Sequence, residues 1–132
     1  MLNPTLNSWK SKGIGLNPGA SLKQIQRLEV QIDFQFPESC KNVYQSVNGF
    51  NDWDWTPNMF SFFPIERIKE EYETKGYWKD FIPIFDYMIN CYHIGYIKGR
   101  VGMFKDFEGG KKVCDNIYEL FALIDQDSDL IY

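Results

Sequence analysis

His93 is the only histidine in the sequence, so any Ser-His-Asp or Cys-His arrangement would have to include it. It stands in the apolar and aromatic run Cys91-Tyr92-His93-Ile94-Gly95-Tyr96-Ile97, which reads as a strand. Alternation places Cys91, His93, Gly95 and Ile97 on one face and Tyr92, Ile94 and Tyr96 on the other. Nothing else marks Cys91 and His93 as an activated pair, so His93 is expected to be structural, with its ring satisfied inside the fold. Carboxylates fall in three clusters: Asp52 and Asp54 around Trp53, Asp106 and Glu108 around Phe107, and the alternating Asp125, Asp127 and Asp129. The last run is not a calcium loop: Leu130 stands at the turn-glycine position, and the distal bidentate Glu is missing. Paired carboxylates acting on glycosides need a cleft and a fixed separation, which the sequence does not specify. Gly109-Gly110-Lys111-Lys112 lacks the first glycine and the Ser/Thr of a phosphate loop and reads as a hairpin turn. Cys40, Cys91 and Cys114 are odd in number and widely spaced, which fits neither a disulfide framework nor a zinc site. They are expected to be reduced, mostly buried thiols. No catalytic residue, metal or cofactor is expected.

Binding chemistry is denser. Asp52-Trp53-Asp54-Trp55 puts two indoles and two carboxylates in four residues, between the turn-forming Asn51 and Pro57-Asn58. Indoles supply large contact area at low entropic cost and are enriched at hot spots. Flanking carboxylates can pair with Lys or Arg on a partner. The alternative is that both indoles fold back on the domain and the aspartates only solubilise the loop. The sequence leaves both readings open, along with the intermediate one of a single packed indole.

Composition sets the broad class. A chain of 132 residues is long enough for one domain with its own core. The net charge of −4 argues against nucleic-acid binding, which needs clustered Lys and Arg, and favours a basic partner. Lys98, Arg100, Lys105, Lys111 and Lys112 crowd one region but are interleaved with Asp106 and Glu108, and read as a solvated hairpin. Eleven Phe, eight Tyr and four Trp exceed what the core needs, so some are expected at the surface, where they permit a homodimer without requiring one. No export signal and no apolar run of membrane-spanning length is present, so a cytoplasmic protein that does not span a membrane is expected.

The elements that must position these residues follow from periodicity. Residues 1–20, rich in Asn, Gly, Pro and Ser, read as an irregular arm, with Trp9 either pinning it to the domain or resting on the surface. Ser21 and Gln24 form a capping box for a helix whose inner stripe is Leu22, Ile25, Leu28 and Ile32. Pro37 starts a second helix with Cys40, Val43, Tyr44 and Val47 inward, which Asn48-Gly49 closes in the left-handed conformation. Strands are predicted over 59–63, 81–85, 91–97, 101–107 and 112–114, with Pro83 confining its strand to an edge or a start. A helix over 65–74, with Ile65 and Ile68 inward, stops at Gly76. A last helix follows Asn116, with Glu119 completing a capping box and Leu120, Phe121, Leu123 and Ile124 inward. Residues 125–132 form an acidic tail expected to fray. Helices, then sequential strands, then a helix read as a single α+β domain: an antiparallel sheet of about four to six strands packed by an N-terminal helix pair and a C-terminal helix.

A helix carrying Glu29, the Phe36-Pro37 step, Tyr44 on the next helix and its Asn48-Gly49 end resemble the N-terminal signature of the SUKH superfamily, the domains related to the yeast Smi/Knr cell-wall regulators. The resemblance continues through 60–65, Phe81-Ile82-Pro83-Ile84 and the helix over 116–124, and so covers the chain from about residue 13 onward. It implies that Glu29, Pro37, Tyr44, Asn48 and Gly49 are mainly structural. It further implies, for a bacterial domain of this size, an immunity protein that binds and neutralises a cognate toxin domain, often a nuclease, without covalent chemistry. The other reading it offers is a cytosolic scaffold or regulator like the yeast namesakes. The glycine-rich acidic turn that often follows the Phe-Ile-Pro-Ile strand is replaced here by Asp86-Tyr87-Met88-Ile89-Asn90. Asp86, the acidic residue left there, joins Asp52, Trp53, Asp54 and Trp55 as the expected partner-contacting set.

Overall fold

The computed structural model describes residues 2–74, 78–90, 92–107 and 109–132. These form α1 (Leu2–Ser11), β1 (Leu16–Pro18), α2 (Leu22–Ile32), α3 (Glu38–Ser46), β2 (Val47–Phe50), β3 (Phe60–Phe62) and α4 (Ile65–Thr74). The chain continues as β4 (Phe81–Tyr87), β5 (Tyr92–Ile97), β6 (Met103–Lys105), β7 (Lys111–Cys114) and α5 (Ile117–Asp125). Single 3-10 turns occupy Asn51–Trp53 and Asp129–Ile131. The expected helix stop at Gly76, the strand residue Cys91 and the Glu108 partner of Asp106 lie outside the described residues. The fold is α+β: β3-β4-β5-β6-β7 make an antiparallel sheet in sequence order, and β1-β2 make a separate antiparallel pair.

The register sorts the side chains onto two faces. Phe60, Tyr87 and Tyr92 lie opposite one another across three strands, as do Phe62, Phe85 and Ile94. This is the core face. Phe62 stacks on Phe85 and meets Trp9 of α1, Tyr44 of α3 and Phe121 of α5, with ring centroids 4.8–6.3 Å apart. The next row along, Ser61, Asp86 and His93, belongs to the opposite face.

Two backbone positions show why glycine is needed. A Cβ on Gly95 would stand 1.8 Å from the Ile82 carbonyl oxygen across the β4–β5 pairing. Gly49 has φ +70, and a Cβ there would lie 2.3 Å from Pro64 N and 2.5 Å from Phe63 C. Gly49 therefore does not close α3, as the Asn-Gly pair predicted. Asn48 and Gly49 lie within β2, paired to β1, and Val47 caps the helix. The helix-ending reading fails because the left-handed residue serves a close backbone crossing instead.

The neighbours of Gly49 reinforce that crossing. The Tyr44 hydroxyl donates to the Phe63 carbonyl at 2.7 Å. Asn48 Oδ1 accepts from the Ile65 N–H at 2.8 Å, and its Nδ2 donates to the Glu66 carboxylate at 3.1 and 3.2 Å. Asn48 thus caps the first turn of α4 from another element, satisfying a donor that the helix leaves open. Glu29 is buried and accepts from the Phe36 N–H at 2.8 Å, which ties α2 to the link before α3; Lys41 lies 3.6 Å from it. Pro37 stands at the N-cap of α3, one residue before its expected place in the first turn.

Other expectations are corrected at the ends and edges. The arm over 1–20 is not irregular: it contains α1 and β1. Its composition hides a helix too short to stand alone, held because Trp9 is 1% exposed, in edge contact with Phe50 and Phe121. Lys12 and Ser8 also reach Asp125 at the end of α5, at 3.0 and 2.7 Å. The tail over 125–132 does not fray. Ile131 is fully buried, the Tyr92 hydroxyl donates to the Ile131 carbonyl, and the Tyr132 ring packs on Tyr87 and Phe60. Lys105, expected on a solvated hairpin, is 1% exposed and donates to the Tyr132 carbonyl oxygen. Leu22 is exposed, so Glu29 rather than Leu22 completes the buried face of α2. Pro83 lies in the second strand of the five, neither at an edge nor at a start. The β3 pairing begins only at Phe85, and the β5 register breaks between Pro83 and Phe85, so no N–H is needed toward β3 at that point. Val101 precedes β6 and is exposed. Asn116 caps α5 through Glu119 N–H, but the Glu119 carboxylate bonds Asp115 N–H, leaving the capping box half formed.

Gly49→Ala is expected to destabilise the fold by about 2–4 kcal/mol, because both the positive φ and the backbone crossing oppose a Cβ; urea unfolding measures this. For Asp125, burial works to raise the pKa, but the bonds from Ser8 and Lys12 together hold it below the usual carboxylate value. Its stabilising effect is therefore present above the unfolded-state pKa and lost as pH falls through the folded one. Wild type should lose more stability than Asp125→Asn between about pH 5 and pH 3, measured by unfolding at each pH.

Candidate functional site

The face of the sheet opposite the core carries the chemistry. His93 Nδ1 lies 2.9 Å from Asp106 Oδ2, and the His93 N–H donates to Asp106 Oδ1 at 3.0 Å. On the other side His93 Nε2 lies 3.9 Å from Asp86. Asp86, His93 and Asp106 thus form a row across β4, β5 and the end of β6. Asp86, expected in a turn, is instead a strand residue opposite His93, and 88–90 are turn residues. The ring of His93 is engaged, as a structural histidine requires. Cross-strand register brings Asp106 to it, a pairing with no local signal in the residues around either position.

Arg67 is the residue the sequence reading missed. It sits on α4 between the inward Ile65 and Ile68, is 6% exposed, and places its guanidinium over the Trp53 ring and 4.9 Å from the centroid of Phe63. Phe63 in turn lies against His93 at 6.0 Å. Burial lowers the Arg67 pKa to about 10, against the opposing field of Glu71, Asp86 and Glu70, so the group remains charged at neutral pH. Nη1 and Nη2 have no hydrogen-bond acceptor among the described residues. The sequence signal for it was a cation set between the inward Ile65 and Ile68 of a Glu-rich helix, where Lys69 is the other basic residue.

The Asp-Trp loop splits. Asp52 and Trp53 are exposed, with left-handed φ of 48 and 61, and Trp53 is 52% exposed although Arg67 covers it. Asp54 turns inward instead. Its Oδ2 accepts from the Gly15 N–H at 2.7 Å, and its carbonyl accepts from the Ser61 hydroxyl at 2.8 Å. It anchors the segment between α1 and β1, so its carboxylate has a structural task that the sequence did not indicate. Trp55 is 48% exposed. Both indoles are therefore displayed, but among the described residues only Trp53 has a cation stacked on it. Asp52, Trp53 and Asp86 converge around Arg67, while Asp54 serves the fold.

Burial pushes Cys40 and Cys114 each up to about 12, so both stay protonated at neutral pH. Among the described residues, no group of three or more His, Cys, Asp or Glu is placed to hold a metal ion. No helix among them is long and apolar enough to cross a membrane.

Fold and site together define a small α+β domain that displays an acidic face bearing an indole. A family model described as the SMI1 / KNR4 family (SUKH-1) matches residues 19–123. The chain belongs to that family. No curated protein matches it.

Trp53→Ala is expected to destabilise the domain by about 1 kcal/mol through loss of the cation–π contact. Trp55→Ala should lie within about 0.5 kcal/mol of wild type. Chemical denaturation of both variants checks the split within the loop.

Proposed function

We propose that this chain is an immunity protein: it binds a cognate toxin domain, such as a nuclease, and neutralises it by non-covalent occlusion in the cytoplasm. Family membership supports a binding domain of this type. The observation that carries the reading is the Trp53–Arg67 stack, a half-exposed indole on a buried guanidinium that feels Glu71, Asp86 and Glu70, with Asp52 lining the same cavity. An indole held by a buried cation is a rigid anchor, and the surrounding carboxylates steer a basic partner onto it. The role of the row Asp86, His93, Asp106 is to hold the sheet surface rigid beneath that anchor rather than to transfer protons, so the chain acts as an inhibitor and not as an enzyme. Its partner is a basic protein surface, with neither nucleic acid nor membrane involved, and one copy or a homodimer can present the face.

The test is co-expression. The toxin domain encoded beside this gene is expressed in a sensitive host alone, with the wild-type chain, and with Asp52→Lys/Glu70→Lys. The wild type should restore growth, and the double charge reversal should weaken the purified complex by about 100-fold while leaving the thermal midpoint unchanged. Failure of the wild type to rescue, with the toxin active, would overturn the immunity reading in favour of a scaffold of the same fold.

A further inference from the structure

Beside the Trp53–Arg67 stack lies an open cavity of about 260 Å³ whose lining includes Asp52, Trp53, Glu66, Arg67 and Glu70. It sits where β2, the 3-10 turn and α4 meet, and three carboxylates face one guanidinium. Glu66 is already bonded by the Asn48 amide, which fixes its carboxylate. Asp52 and Glu70 form no ion pair among the described residues. The excess negative charge excludes an anion, and an apolar group would strip water from the carboxylates without replacing it. Arg67 adds an independent demand. It is more than nine-tenths buried, lines this cavity, and leaves Nη1 and Nη2 without an acceptor among the described residues. A buried charged donor left unpaired costs free energy, which an acceptor brought by a ligand would recover.

The walls are prepared for such a ligand. Asp52 and Trp53 are held in the left-handed region, which a Trp rarely adopts. The turn is closed by Asp54 N–H on the Asn51 carbonyl at 2.9 Å and by the Asp54 bond to Gly15. The indole is therefore set in place before any partner arrives, and little ordering remains to be done on binding.

Resting on the immunity reading, we propose that this cavity is a recognition slot for one lysine or arginine side chain carried on a loop of the partner protein. The aliphatic stem lies along the Trp53 indole, the cationic head pairs with Asp52 and Glu70, and an adjacent main-chain carbonyl accepts from Arg67. A basic side chain satisfies the carboxylates and the indole at once, and its peptide supplies the acceptor that Arg67 lacks. No single anion, apolar group or isolated cation meets all three conditions.

The test needs no toxin. The Trp53 indole N–H resonance of the ¹⁵N-labelled chain is identified by its loss in Trp53→Phe. It is then followed during titration with capped Gly-Lys-Gly, Gly-norleucine-Gly and Gly-Glu-Gly peptides. The lysyl peptide should shift it saturably, with a dissociation constant of about 1 mM, as one side chain provides, and the Trp55 resonance should stay in place. Asp52→Asn/Glu70→Gln, which removes charge without bulk, should weaken that response by about tenfold with an unchanged thermal midpoint. No response to the lysyl peptide, an equal response to norleucine, or an undiminished response in the double variant would each overturn the slot. Rescue of the host together with a silent slot removes the slot and keeps the immunity reading. A saturable slot without rescue does the reverse.

Discussion

The contact between the backbone of Gly49 and the Phe63-Pro64 peptide is the constraint on which the rest of the structure depends. It lets β2 cross the start of α4 at a distance no side chain would allow. Two further bonds close on the same corner, from the Tyr44 hydroxyl to Phe63 and from the Ile65 N–H to Asn48. Each buried bond of this kind contributes about 1 kcal/mol net, and more is lost when its partner is left unsatisfied. The helical N-terminal part and the sheet are thus joined through main-chain groups whose positions tolerate little change. Once α4 is fixed, Phe63 and Arg67 on its approach and first turn are fixed with it.

Around that corner the core is built from rings. Phe62 is the common neighbour of Trp9, Tyr44, Phe50, Phe85 and Phe121, which come from five different elements. The surplus of aromatics is largely absorbed in this way, including by segments that look irregular. Trp9 carries α1 onto the core, and Tyr132 with Ile131 carries the C-terminal residues onto the far end of the sheet. What remains at the surface is more selective: Trp53 and Trp55 are the displayed indoles among the described residues.

The acidic character of the chain becomes useful only where it is organised. Asp86 and Asp106 flank His93, while Asp52, Glu70 and Glu71 stand near a buried guanidinium. A guanidinium close to both Trp53 and Phe63 keeps its charge with no carboxylate bonded to it among the described residues. The same residue holds the indole upright. Arg67 therefore links the packing of α4 to the surface that the domain presents.

The sequence by itself determined the elements whose signals are local. The Ser21–Gln24 capping box, the inward Ile25, Leu28 and Ile32, the helix over 65–74 and the sequential antiparallel strands are written in caps and in periods of 3.6 or 2. The order of short motifs was enough to point to the family. Tertiary structure decided everything that rests on contacts between distant residues. It made a helix of an arm rich in Asn and Pro because Trp9 finds Phe50 and Phe121. It turned an Asn-Gly helix stop into a strand crossing and a remote cap. It drew Asp54 inward to Gly15, and it placed Arg67 under Trp53. In each case the local preference was weak, and a buried ring, a carbonyl or a close backbone approach supplied by another element outweighed it.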